Sequence, residues 1–61
     1  MRNNLINVRK EKKLTQSQVA DMLNISLRQY QRIECGDTVG KIKTWDALEK
    51  IFETDQKLLR D

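Results

Sequence analysis

The chain has 61 residues, no histidine, no proline, one cysteine and a formal net charge of +3 at pH 7. With no histidine base, no glycine-rich phosphate loop and little room for a water-excluding cleft, the sequence argues against an enzyme. A lone cysteine likewise argues against an intramolecular disulfide or a zinc site. We therefore expect one small helical domain over residues 1–61 that binds a partner, with no cofactor or metal.

No apolar run approaches the length of a membrane span, and the first 13 residues are charged rather than signal-like. The expected location is the cytoplasm, without membrane contact. Those 13 residues carry five basic groups against one acidic group, while the remainder is nearly neutral. Such a run suits a polyanion, since lysines neutralise phosphates whatever the sequence, although taken alone it is more typical of a solvated surface.

The first predicted helix runs from Asn3 or Asn4 to Lys12, with an asparagine as its N-cap. The second is predicted over residues 16–23, because Thr15 is a favourable N-cap and apolar residues recur on one face. That face consists of Val19, Ala20 and Leu23.

A chemically specified turn and a third helix follow. Asn24 tolerates the left-handed conformation, Ile25 is an apolar plug and Ser26 can cap the next helix. The third helix should end near Cys35, because Gly36 can take the left-handed position after it. We interpret Cys35 as an incidental residue at this helix end, without thiol chemistry.

A polar loop precedes a fourth helix, predicted over residues 42–52. Its apolar stripe consists of Ile42, Trp45, Leu48, Ile51 and Phe52. Trp45 is interpreted as core rather than as a stacking platform for bases, since the chain has no aromatic series. A short last helix should begin at Thr54 or Asp55, and of Leu58 and Leu59 we expect one in the core and one in a dimer interface.

The predicted core gathers the inward apolar residues of the first four helices and of the turns between them. Its members are Leu5, Val8, Leu14, Val19, Ala20, Leu23, Ile25, Tyr30, Ile33, Trp45, Leu48, Ile51 and Phe52. A core of this size rarely supplies more than roughly 3–5 kcal/mol of net stability, so a homodimer is expected.

The segment from Thr15 to Gly36 resembles the helix-turn-helix of the lambda-repressor and Cro-like superfamily, also called the Xre family. The residues in register are Gln16, Ala20, Ile25, Ser26, Ile33 and Glu34. Residues of the other predicted helices resemble the rest of that five-helix fold: Leu5, Val8, Arg9, Leu14, Ile42, Trp45, Leu48, Phe52, Leu58 and Leu59. The chain departs from the family pattern at Lys13, Asn24 and Glu53, where glycine is usual.

The resemblance implies that the third helix reads the major groove of double-stranded DNA. With Tyr30 and Ile33 facing inward, Arg28 and Arg32 share an outward stripe, and arginine can bond the O6 and N7 of guanine. They are the first candidates for base contact. Gln29, which could match adenine, and Leu27, which could touch a thymine methyl, are the second. The alternative is that these four are ordinary exposed helix residues.

The resemblance also implies phosphate contacts. Gln16 corresponds to a phosphate contact at a helix N-terminus, although it could simply complete a polar first turn. Ser26 could touch phosphate, but its capping role explains it without DNA, and Gln31 could reach the backbone or face water. Lys41 and Lys43 lie where the family has a third phosphate-contacting region, although single lysines are usually solvated.

Arg9 and Glu34 correspond to a family ion pair that ties the first helix to the end of the third. If formed, this pair orients the reading helix rather than reading DNA itself. Removing one partner would leave an unpaired charge, so we predict lower stability or DNA affinity without a changed base preference.

Two binding functions compete at this stage. The first is a Cro-like or repressor-like transcriptional regulator that occupies a palindromic operator as a dimer, without a small-molecule effector. The second is a protein-interaction module on the same fold, such as an antitoxin or antirepressor-like component. The outward arginines favour DNA.

Overall fold

The computed structural model describes residues 1–38 and 40–60. Within this part of the chain the regular structure is entirely helical, as predicted. The helices are α1 (Asn3–Glu11), α2 (Gln16–Leu23), α3 (Leu27–Cys35), α4 (Ile42–Phe52) and α5 (Gln56–Leu59). α3 packs against α2 and α1, α5 packs against α1 and α4, and α2 also contacts α4.

The core lies between these helices and contains every residue predicted for it. Its buried members are Leu5, Val19, Ala20, Tyr30, Ile33, Trp45, Leu48, Phe52 and Leu59. The other predicted members are partly buried against them: Val8, Leu14, Leu23, Ile25 and Ile51. The predicted core is therefore confirmed, and Leu59 joins it.

The prediction that Ile42 belongs to the buried apolar stripe of α4 is wrong, because its side chain is 78% exposed. It is the first residue of the helix, and at 100° per residue it lies about 90° from the centre of the buried stripe. No preceding turn of α4 extends the core contact to its position.

The N-terminal cap of α1 is a second correction. The cap is Arg2 rather than an asparagine, and its side chain makes no capping hydrogen bond. Instead, the backbone N–H of Arg2 donates to Glu34 O at 2.8 Å. The start of α1 is therefore set by a contact with the end of α3. The helix propensities of the residues around Arg2 do not predict this contact.

Side-chain caps set the starts of α2, α3 and α5. Thr15 and Ser26 each form a full capping box with the glutamine three residues later, Gln18 and Gln29. α5 begins at Gln56, one residue after the later of the two predicted starts, because Asp55 itself is the cap and accepts a hydrogen bond from Lys57 N.

All three departures from the family's glycines adopt the left-handed conformation. The φ angles are 58° at Lys13, 59° at Asn24 and 52° at Glu53. Gly36, at 85°, ends α3 as predicted. The backbone thus keeps the turns that glycine would favour, at the cost of strain at Lys13 and Glu53.

In residues 1–38 and 40–60, no helix is both long enough and apolar enough to cross a bilayer.

Candidate nucleic-acid interface

α3 has one buried face and one exposed face. Tyr30, Ile33 and Glu34 point inward and are buried. Arg28 and Arg32 stand one turn apart on the exposed face, and neither guanidinium bonds or pairs with any described residue. Two adjacent cations without protein partners are therefore presented on a helix whose opposite side is anchored in the core.

Leu27 and Gln29 flank this pair at the start of α3. Leu27 is partly exposed and available for an apolar contact. Gln29 is exposed, but its Oε1 accepts a hydrogen bond from Ser26 N at 3.1 Å, while Ser26 Oγ accepts from Gln29 N at 3.1 Å. Because the bond to Ser26 N holds the Gln29 amide back against the start of α3, a two-bond match to adenine would require the capping box to open.

Ser26 is likewise occupied in the protein alone, since its hydroxyl oxygen caps α3. The sequence contained the signal for this pairing, because serine followed three residues later by glutamine is the capping-box pattern. The Ser26 cap is predicted from the sequence, whereas the part that Gln29 plays in it is a finding of the structure.

Arg9 and Glu34 lie together beneath the exposed face. Arg9 Nε donates to Glu34 Oε2 at 2.6 Å, and the two side chains are 12% and 3% exposed. Arg9 Nη1 also donates to Leu14 O at 2.8 Å. This ion pair joins α1, the α1–α2 turn and α3.

Gln16 and Gln31 extend this network toward the surface. Gln16 Nε2 donates to Glu34 Oε1 at 2.9 Å, and Gln31 Nε2 donates to Gln16 Oε1 at 3.3 Å. From the sequence, Gln16 and Gln31 are separate candidates for contact with the DNA backbone. The hydrogen bonds that join them to each other and to Glu34 connect residues 15 and 18 positions apart, so no local pattern predicts these bonds.

The Tyr30 hydroxyl is buried in the same region and has no hydrogen-bond partner among the described residues. Burial, and then the neighbouring Glu34 carboxylate, raise the pKa of Tyr30 well above its ordinary value. Tyr30 is therefore a neutral side chain beside the Arg9–Glu34 pair at any physiological pH.

Arg2 has a structural role that the sequence does not predict, since there it is only one of the five basic residues near the N-terminus. Its Nη1 donates to Ile33 O at 2.5 Å and Thr38 O at 2.9 Å, and its guanidinium lies 5.2 Å from the centre of the Trp45 ring. A cation at the carbonyl end of a helix is favourably placed. Arg2 is thus turned inward and fastens the C-terminal end of α3.

Lys41 and Lys43 are exposed at the start of α4. Lys41 is the N-cap of α4, and its side chain makes no capping hydrogen bond. An open groove separates this end of α4 from α3, and both Arg32 and Lys41 line it. Arg32 and Lys41 therefore bring one positive charge to each side of the groove, which the acidic Asp37 also lines.

The two C-terminal leucines differ in exposure. Leu59 is fully buried in the core, whereas Leu58 is 58% exposed. Leu59 is therefore not available as a subunit contact, which leaves Leu58 of the two interface candidates.

The α2–turn–α3 unit and the order of the helices agree with a known protein family. The Helix-turn-helix family model matches residues 5–55. The chain belongs to the Xre/lambda-repressor-like helix-turn-helix family. The match runs from α1 to the cap of α5, and the family is a DNA-binding regulatory one. No curated protein and no solved structure matches the chain significantly.

Proposed function

We propose that this helix-turn-helix protein binds specific sequences of double-stranded DNA as a cytoplasmic, dimeric transcriptional regulator. The observation that carries the proposal is the pair Arg28 and Arg32, exposed on the outer side of a helix anchored by its opposite face and without a partner among residues 1–38 and 40–60. A rigid helix that projects such donors suits the major groove.

Base contacts fall to the exposed residues at the start and middle of α3. Arg28 and Arg32 are proposed to bond guanine, and Leu27 to contact a thymine methyl. Gln29 retains a free Nε2 while its Oε1 stays in the capping box. Its proposed base contact is therefore a single donated hydrogen bond, or a two-bond match to adenine once the box opens.

Phosphate contacts are proposed on both sides of α3. Gln16 and Gln31 lie on one side, where they are already hydrogen-bonded to each other. Lys41 and Lys43 lie on the other side, at the start of α4. Ser26 lies between them at the N-terminus of α3, where its hydroxyl can accept the capping bond and still donate to a phosphate.

A symmetric dimer would place two copies of α3 about 34 Å apart on an imperfect palindrome, one helical turn between half-sites. Leu58 is the proposed subunit contact, because it is exposed on the same short helix whose Leu59 is buried in the core. Occupation of such a site would block or recruit polymerase.

Selection of bound sequences from a random duplex pool tests the proposal. We expect a palindrome with guanines in each half-site to be enriched, and binding to weaken steeply as salt rises. Sequencing of the bound fraction gives the motif, and fluorescence anisotropy on the selected duplex gives the affinity and its salt dependence.

Two substitutions separate base reading from charge. Arg28→Lys and Arg32→Lys keep the charge but lose the two-pronged donor, so preference for the selected duplex should fall by about 1–3 kcal/mol while non-specific binding remains. Lys50→Gln, at the exposed end of α4, is the matched control and should leave the preference unchanged. Weak binding that ignores sequence and is unaffected by the arginine variants would refute the regulator proposal.

A further inference from the structure

The two oxygens of the Glu34 carboxylate serve different elements. Oε2 accepts from Arg9 on α1, and Oε1 accepts from Gln16, the first residue of α2. Resting on the proposed function, we infer that Glu34 is a positioning residue for the DNA backbone. It acts through Gln16, separately from its ion pair with Arg9.

The orientation of the Gln16 amide is fixed by its neighbours. An amide has a donating end and an accepting end, and the two are nearly equal in shape. A carboxylate can only accept, so a buried Glu34 oxygen at 2.9 Å admits only the NH₂ end. The buried charge therefore determines which way the Gln16 amide faces.

Gln31 holds the other end of the same amide. Its Nε2 donates to Gln16 Oε1 at 3.3 Å, which is the contact expected when the oxygen of Gln16 faces away from Glu34. Gln31 belongs to the exposed side of α3, while Gln16 begins α2. The chain from Glu34 through Gln16 to Gln31 thus links the two helices of the helix-turn-helix.

One donor of the Gln16 amide remains free. The NH₂ group has two hydrogens, and Glu34 takes one of them. The other has no acceptor among the described residues, and it accompanies the unpaired backbone N–H groups of the first turn of α2. A glutamine already fixed in the free protein loses less side-chain entropy when it meets a phosphate. Glu34 and Gln31 therefore present this donor in advance.

A double-mutant cycle between Gln16 and Glu34 tests the inference. The probe is a mixed-sequence duplex two helical turns long at low salt, since a phosphate contact does not depend on base sequence. Gln16→Ala should weaken binding by about tenfold to a hundredfold in the native background, as for a hydrogen bond to a charged group. In the Glu34→Gln background the same change should weaken binding by less than about twofold.

Arg9→Lys is the matched control, because it disturbs the ion pair but leaves the Glu34 oxygen that Gln16 uses. In that background Gln16→Ala should keep its full effect on binding. If it keeps its full effect in the Glu34→Gln background as well, Glu34 acts only through the ion pair and the inference is wrong. Thermal unfolding of each variant fixes a temperature at which all of them are folded.

Gln31 provides a test that does not depend on folding, since its side chain is exposed. Gln31→Ala should weaken binding about twofold to threefold more in the native background than after Gln16→Ala, because its own proposed phosphate contact is lost in both backgrounds, whereas its hold on the Gln16 amide is lost only in the first. Equal effects in the two backgrounds would mean that Gln31 acts only through its own phosphate contact, and would overturn its part in positioning.

A spectroscopic readout is independent of affinity. The two side-chain amide protons of Gln16 should be more widely separated in NMR shift than those of a solvated glutamine, because one of them is bonded to a carboxylate. Glu34→Gln should return the separation toward that of a solvated glutamine, and duplex should move the free proton selectively. Failure of the native protein to bind the duplex at low salt would refute the proposed function itself, whereas binding with additive Gln16 and Glu34 effects refutes only this inference.

Discussion

The left-handed residues at the helix ends give the sharpest prediction about stability. Lys13 and Glu53 have φ angles of 58° and 52°, a region that costs an L-residue roughly 1–2 kcal/mol. Lys13→Gly and Glu53→Gly should therefore stabilise the protein, although glycine is usually destabilising. Asn24→Gly, at 59°, should gain less, since asparagine tolerates this conformation.

The expected magnitude follows from two opposing effects. Glycine removes the strain, but the unfolded chain gains entropy equivalent to about 0.5–1 kcal/mol. The net gain for Lys13 or Glu53 is then about 0.5–1 kcal/mol, or roughly 2–8 °C in Tm for a domain of this size. The ion pair lost with Glu53 is a 4.0 Å contact with Lys12 at the surface, which contributes little.

Thermal unfolding followed by far-UV circular dichroism measures these shifts. Gly36→Ala is the matched control: the added Cβ would meet nothing within 4 Å, so only the same two backbone effects act, with opposite sign, at φ 85°. It should lower stability by about 0.5–1 kcal/mol. If Lys13→Gly and Glu53→Gly both lowered Tm while Gly36→Ala did not, the argument from backbone conformation would be refuted.

Three further substitutions test the buried polar groups. Arg2→Met should lower the free energy of unfolding in urea by about 1–3 kcal/mol, because it removes the donor to two carbonyl oxygens. An unchanged urea midpoint would contradict the structural role of Arg2 at the end of α3. Glu34→Ala should lower the free energy of unfolding by about 3–5 kcal/mol, since it leaves the Arg9 charge nearly buried and unpaired. A variant as stable as the native protein would show that the ion pair is not needed for folding. The folded-state pKa of Tyr30 is raised above 10.0, so its contribution to stability is complete below pH 10 and should decline as the pH rises further. Tyr30→Phe should abolish that decline in unfolding measured against pH, and a decline of equal size in the variant would assign it to other groups.

Much of this protein follows from sequence alone, because the determining interactions are local. Thr15 and Ser26 begin their helices through bonds to residues three positions away, and Gly36 ends α3 through its own backbone freedom. The core residues were predictable because helical periodicity places them on one face of each helix. The same periodicity put Arg28 and Arg32 outside once Tyr30 and Ile33 were inside.

The tertiary structure decided what the polar side chains contact. Nothing near Arg2 in the chain indicates that it reaches the carbonyl end of α3, and nothing near Gln16 indicates that Glu34 holds its amide. Such contacts join positions far apart in sequence and depend on how the helices cross, whereas composition and periodicity describe each helix by itself. A buried carboxylate with two donors from two different helices exists only after those helices have packed.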